Sequence, residues 1–498
     1  MSKKMKDSLE SVADLNLSKL TNLIPINQGA SFEDKETPLY PIAVVLNDFL
    51  CNVRSIQRTR AIVFPHVLSW LKGQHERNLK KLNKYASQNE DGSDVYEATS
   101  AHQAAEMFQA IRELDGLGGM KIPEILQRSL YTQLFSEYDA FIGALLKSIY
   151  SKKPDFLKGI SRQISFNDLL DYENLNAIKL DMLEKEVETF RRNSYSEQFT
   201  ALELKFGLKL RLFPEWGEFI ELSQRRNLIV HNGGLVSDQY LLICDRENHK
   251  FAERPKSGDL LQLNGAYLSR ATIVVSKVAF MLCHTLWRKL FPAEIEIAHS
   301  EANSVLFDIL SDKRWKTASA IAEFALTEPM KHQISDVDLR IRTINSAIAM
   351  KFSGNEDGCR KILKLLDWTA ALRDFRLAIA VLSDDYLKAA ELMNSIGKKG
   401  EFVTEISYHN WPLFHKFRES EEFLNTYLNI YGTSFIAESI RHTTQVAEAN
   451  QAAFDRGMDA VEIQAEIINT TQVATDSTSD KLVKKTPRSR KKPSAAES

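Results

Sequence analysis

The chain has 498 residues, 44% of them hydrophobic and 26% charged, which is long enough for about two to four domains with sizeable cores. Its formal net charge of −2 excludes a protein that coats nucleic acid through bulk charge, so any contact with RNA must be local. Cys51, Cys244, Cys283 and Cys359 are scattered, without a CxxC pair or a histidine-rich neighbour, which argues against a disulfide framework and a zinc site and for a reducing cytoplasm.

The N-terminal Met1-Ser-Lys-Lys-Met-Lys-Asp7 lacks the apolar stretch of a secretory signal. The most apolar run, Ala271 to Trp287, is interrupted by Lys277 and is too short to span a bilayer. The expectation is a soluble cytoplasmic protein with no membrane partner. Residues 1–100 read as an N-terminal helical extension, polar to about residue 35 with a weak amphipathic piece at Leu15–Leu23. From Pro41, the residues Ile42, Val45, Leu46, Phe49 and Leu50 recur at helix spacing. Pro65 is expected to interrupt this helix, and a second one from Val67 runs through Leu79 and Leu82 to Tyr85. Ser87-Gln-Asn-Glu-Asp-Gly-Ser93 is a turn-rich break.

Residues 103–295 form the candidate catalytic domain. Pro123 suits a first helical turn, and Leu126, Leu130, Leu134, Tyr138, Phe141, Leu145 and Leu146 give the long helix behind it a broad apolar face. Ser165-Phe-Asn-Asp168 can cap another helix containing Leu175, Ile178, Leu183 and Val187. Phe199–Leu212, a helix from about Pro214, and a last one from about Leu263 to Phe291 complete the set. The run from Tyr240 to Leu261 reads as a small hairpin or an ordered loop. Periodicity by itself implies a helix bundle.

The helix from Pro214 ends in Ser223-Gln-Arg-Arg-Asn-Leu-Ile-Val-His-Asn-Gly-Gly234. Phe219, Leu222, Ile229 and Val230 fall on one stripe with Arg226 in its middle, and Asn227 and His231, four apart, share its edge. Asn232-Gly233-Gly234 supplies left-handed residues that stop a helix. A guanidinium on an apolar stripe, with an imidazole at the helix end, suggests a site for an anionic phosphate.

Arg226-Asn227-Leu228-Ile229-Val230-His231 resembles the Arg-x(4–6)-His signature of HEPN domains, in the form where a polar residue follows the arginine. Gly233-Gly234-Leu235-Val236, with Tyr240 and Leu241 beyond, is similar to the flank of many bacterial members. Arg60-Ala-Ile-Val-Phe-Pro-His66 fits the bare spacing too, and reads as accidental because Pro65 should break the helix before the histidine. The resemblance implies an all-α domain, usually a homodimer, and a metal-independent endoribonuclease needing no cofactor, of the kind common in toxin–antitoxin and anti-phage defence systems. In HEPN toxins paired with minimal nucleotidyltransferases a tyrosine usually stands two places after the histidine. Here that place is Gly233, so regulation by modification of such a tyrosine is not expected.

Residues 300–432 read as stacked helix pairs. Ser311-Asp-Lys-Arg-Trp315, Asn355-Glu-Asp-Gly-Cys359 and Ser383-Asp-Asp-Tyr-Leu387 each turn and run into an apolar-periodic stretch, at an interval near that of tetratricopeptide-like repeats. The fold expectation is therefore all-α, a HEPN-like bundle followed by a short α-solenoid. That region is either a platform for another polypeptide, such as an antitoxin or sensor, or a helical buttress. Residues 433–468 offer one more amphipathic helix, and 469–498 a disordered tail whose seven cations from Lys481 to Lys492 read first as solvated charge.

RNA carries its own nucleophile, the ribose 2′-hydroxyl. Cleavage needs a base for it, an acid for the departing 5′-oxygen, and a cation for the charged phosphorane. His231 suits the first or second role and Arg226 the last. Asn227 can donate to the phosphate or orient His231, while Arg225 and Asn232 are candidates for positioning RNA. One copy supplies one histidine, so a composite site across a two-fold axis is expected. His284, beside Cys283 in an apolar helix, reads as a core histidine. Walker, GxGxxG, GxSxG and HExxH patterns are absent. The competing expectation is a non-catalytic dimeric scaffold.

Overall fold

The computed structural model describes residues 41–88, 94–159, 163–165, 169–170 and 172–441. The expected pieces at Leu15–Leu23 and 469–498 lie outside them, as does the expected helix of 433–468 beyond residue 441, its described part being helical over 435–441. The described chain is all-α apart from one small hairpin. It divides into two units, 41–383 and 384–441, a boundary that falls inside the 300–432 stretch read as one region.

The first unit opens with α1, Pro41–Asn83, which continues through Pro65 where a break was expected. Proline removes one amide donor and crowds the carbonyl four residues back. Here that carbonyl belongs to Ala61, and Ala61 and Pro65 are both exposed, so water can take the freed acceptor. Packing then holds both ends of the helix. Near its start Phe49 meets Tyr138 and Phe141, and near its end Lys81 bonds Glu113. Pro65 therefore does not separate Arg60 from His66, which lie on one continuous helix with His66 exposed. Strands β1, Ala86–Gln88, and β2, Asp94–Tyr96, pair antiparallel, a hairpin flanking the expected turn. Helix α2, Ala101–Gly119, is capped by Ser100.

Next come α3, Ile122–Lys152, with proline in its first turn as expected, and α4, Leu175–Arg192, capped by Asn174 rather than from Ser165. Helix α5, Tyr195–Phe206, starts in a capping box of Ser194 and Glu197 and stops at Gly207, whose φ of 63° is left-handed. The motif helix α6 is Trp216–His231. The following segment is not a hairpin: Ser237 caps a helix, α7, Asp238–Arg246, and only Leu235 and Leu260 form a bridge. Helix α8, Gly265–Leu290, is the central element, packed against α1, α3 and α6.

At 26 residues α8 is longer than the run judged too short for a bilayer, and by length and composition alone it could cross one. Most of its apolar window is buried inside the bundle, which is how a core helix of a soluble protein behaves. Helices α9 (Ile295–Ser311), α10 (Trp315–Ala325), α11 (Glu328–Lys331), α12 (Asp336–Phe352), α13 (Glu356–Leu363) and α14 (Arg373–Leu382) complete the unit. The second unit contains α15 (Tyr386–Ile396), α16 (Glu405–Asn410) and α17 (Glu421–Tyr431). Its aromatic cluster joins Tyr408, Phe414, Phe417, Phe423 and Tyr427. All three expected turn starts lead into helices, α10, α13 and α15, with a left-handed residue inside the turn (Lys313, Asp384) or just before it (Gly354).

Candidate active site

Helix α6 is gripped on two sides, and that decides where its polar residues go. Phe219 and Leu222 are buried on the side facing α3 and α5, where Phe219 stacks on Tyr195 and meets Tyr138 edge-on. Leu228 lies about half a turn away from Phe219 around the helix, and it packs with Val236, Tyr240 and Cys244 under α7. The expected single stripe needs correcting at its end. Val230 continues the Phe219 side but is 47% exposed, because neighbouring helices do not cover the last turn. Gly233 and Gly234 then take φ of 61° and 93°, and the Gly234 N–H donates to the Leu228 carbonyl at 2.9 Å. This is the expected helix stop.

Arg226 is held from below. Its Nη2 donates to Asp139 Oδ2 of α3 at 3.1 Å and its Nη1 to Asn227 Oδ1 at 3.1 Å. The Tyr195 hydroxyl donates to the other Asp139 oxygen at 2.7 Å. Burial pushes the Asp139 carboxyl above its ordinary value, against the Tyr195 hydrogen bond and the charges of Arg226 and Arg191. The same burial, with the Asp139 charge beside it, keeps the Tyr195 phenol well above its usual range. The guanidinium side chain remains 26% exposed. With its oxygen accepting from Arg226, Asn227 keeps its amide N–H groups to donate elsewhere.

His231 is exposed, and no hydrogen bond holds it among the described residues. Five residues along a helix separate it from Arg226 by roughly 7.5 Å and about 140° of rotation. The two groups therefore do not converge within one chain: Arg226 leans towards α3 while His231 leaves from another face.

The two candidates for positioning RNA are occupied otherwise. Arg225 is 14% exposed and bonds Glu221 at 2.8 Å, with its guanidinium 4.0 Å over the Tyr267 ring. Glu221, itself 1% exposed, also accepts from the hydroxyls of Tyr240 at 2.7 Å and Tyr267 at 2.5 Å. This knot ties α6 to α7 and α8. Asn232 donates its amide to the Leu235 carbonyl at 2.7 Å, stapling the turn after the helix.

Sequence reading missed two residues here. Arg128 of α3 donates to the Gly233 carbonyl at 3.2 Å, adding a cation beside the His231 turn. Asp139 is the other; its one sequence signal was a lone carboxylate among the aromatic residues of a broad apolar face. Among the described residues no cluster of histidine, cysteine, aspartate and glutamate is arranged to hold a metal ion. No family model, curated protein or solved structure matches the chain, so the chemistry of the site rests on its own residues.

Proposed function

We propose that the chain is a metal-independent endoribonuclease of HEPN type acting as a homodimer. The observation that carries this reading is the end of α6, whose last turns carry an anchored, partly exposed Arg226, an Asn227 with free amide donors and, on another face, an unencumbered His231. Exposed Val230, Leu235 and Leu260 flank them, and a second copy covering this apolar edge would bring its own α6 opposite. Divergence of Arg226 and His231 within one chain favours a site completed in trans.

In the reaction, an imidazole of His231 takes the proton of the ribose 2′-hydroxyl. The 2′-oxygen attacks phosphorus, the bond to the 5′-oxygen breaks, and the same imidazole, now protonated, supplies the proton that oxygen needs. Arg226 donates to the non-bridging oxygens as charge builds on them. The products are a 2′,3′-cyclic phosphate and a 5′-hydroxyl. A role as toxin or anti-phage effector, with residues 300–432 receiving an antitoxin or sensor, follows from the same reading.

The test incubates purified chain with tRNA and mRNA in EDTA and maps the ends. Expected are cyclic-phosphate ends, with cleavage reduced by roughly a hundredfold or more in His231→Ala and Arg226→Ala. Activity that needs added divalent ions, or RNA left whole by wild-type chain freed of bound inhibitors, overturns the proposal. One observation favours the second reading, a non-catalytic dimeric scaffold: Asp139 already neutralises Arg226. In that case wild-type and His231→Ala chains leave RNA equally intact and still dimerise.

A further inference from the structure

A cavity of about 620 Å³ lies in the first unit between the segment joining α5 to α6, helix α8, and the α10–α11 turn. That volume is typical of small-molecule sites. Its walls are largely apolar, with Phe199, Leu210, Phe213, Met281 and Phe324 among them. Lys209, Lys277, Arg288 and Glu323 are its charged members.

The charges do not cancel evenly. Lys277, 5% exposed, donates to Glu215 at 2.7 Å and to Glu323 at 3.0 Å, so this trio carries one net negative charge while Lys209 and Arg288 supply two positive ones. Among the described residues, no carboxylate pairs with Lys209 at the mouth or with Arg288 in the wall. Arg288 is held by other means. Its Nη1 and Nη2 lie 3.2 Å from Nδ1 and Nε2 of His299 respectively. Its Nη2 also reaches the carbonyls of Met330 at 3.1 Å and His332 at 3.2 Å.

Behind it, fully buried Arg342 bonds the Asn303 amide oxygen at 2.9 Å and the carbonyls of Met330 and His299 at 3.0 Å each. Dipoles solvate both guanidiniums; among the described residues neither forms an ion pair with an acid, and Asp338 acts on Arg342 only through its charge. Consistently, burial lowers Arg288 to about 10. An unneutralised cation in an apolar wall is costly unless an anion meets it.

We infer that this cavity binds a small amphipathic anion, its apolar body between Phe213, Met281 and Phe324 and a single carboxylate or phosphate head against Arg288. The inference stands apart from the RNA-cleavage reading, since none of its residues belongs to the α6 motif.

Calorimetry on the full chain tests it, using decanoate, decyl phosphate, decanol and decyltrimethylammonium below their self-association concentrations. The expected result is one site per chain for at least one of the two anions, the tighter of them identifying the head. Decanol should bind about tenfold or more weakly, and the cation not at all. Arg288→Gln should weaken anion binding by about tenfold or more while leaving decanol unchanged. Met281→Trp, which fills the cavity without touching the arginine network, should abolish binding of all four. Should Arg288→Gln fail to fold, the head-group series on wild type and the Met281→Trp chain still decide. Failure of both anions to bind, decanol binding as tightly as the tighter anion, or anion binding undiminished in Met281→Trp overturns the inference.

Discussion

His284 is fully buried in α8, and neither ring nitrogen has a hydrogen-bond partner. Reading it from the sequence as a core histidine is correct, but the cost it carries was not legible, because Arg342 and His299 reach it from two other helices. Burial and the charges of Arg342, Arg288 and His299 drive its pKa well below the ordinary value. His299, 1% exposed, is lowered to about 4 by burial, then by Arg288 and Arg342, against the His332 carbonyl and Asp338. Both groups are more basic unfolded than folded. The stability linked to their neutral forms is complete above about pH 6.5 and is lost as pH falls from there, for His299 towards 4. For His299 the loss is at most about 3 kcal/mol. Urea unfolding across that range should show the decline. His284→Leu removes two unsatisfied buried polar atoms, so it should raise stability at pH 7 by about 1 kcal/mol and flatten the acid slope. A variant less stable than wild type at pH 7 would mean the imidazole has a partner in solution.

At the scale of elements, Gly217 shows how α6 is seated. A Cβ at this position would come within 2.8 Å of the His249 nitrogen and 2.9 Å of the Glu247 carbonyl oxygen, and Trp216 Nε1 ties the same loop through Glu247 at 2.9 Å. Alanine normally gains about 1 kcal/mol over glycine inside a helix. Here that gain should be overridden, leaving Gly217→Ala less stable by about 1–3 kcal/mol in chemical denaturation; a stabilised variant would mean that the 247–249 loop yields freely. What the sequence made legible follows the same division between local and distant causes. The stop at Gly233 and Gly234 could be read because a left-handed turn is a local need. Existence of α3, α5, α6 and α8 could be read from apolar spacing. Local rules failed where distant packing decided: α1 runs through Pro65 because its ends are held, and Val230 is exposed because its turn is uncovered. Asp139, 87 residues before Arg226, is a partner that no local pattern announces.

For the whole molecule, the consequential question is whether the site is built from one chain or two. Arg226 and His231 sit on one helix, yet about 140° of rotation separates their directions, and the intervening face ends in exposed Val230. A single chain therefore presents a cation and an imidazole that do not meet on one phosphate, whereas a two-fold axis beside Val230 would set Arg226 of one copy near His231 of the other. This makes a prediction that separates the alternatives. Arg226→Ala and His231→Ala chains are each expected to be inactive as homodimers. Mixed and allowed to exchange, they form heterodimers in which one of the two composite sites keeps both native groups. With random pairing, about half the dimers are mixed and each has one working site of two, so RNA cleavage should return to about a quarter of the wild-type rate. A site built within each chain predicts no recovery at all, since no chain then holds both residues. Sedimentation of the mixture must show dimers for either outcome to count. A monomer that cleaves RNA would remove the trans arrangement and leave Arg226 to act with a histidine on its own helix.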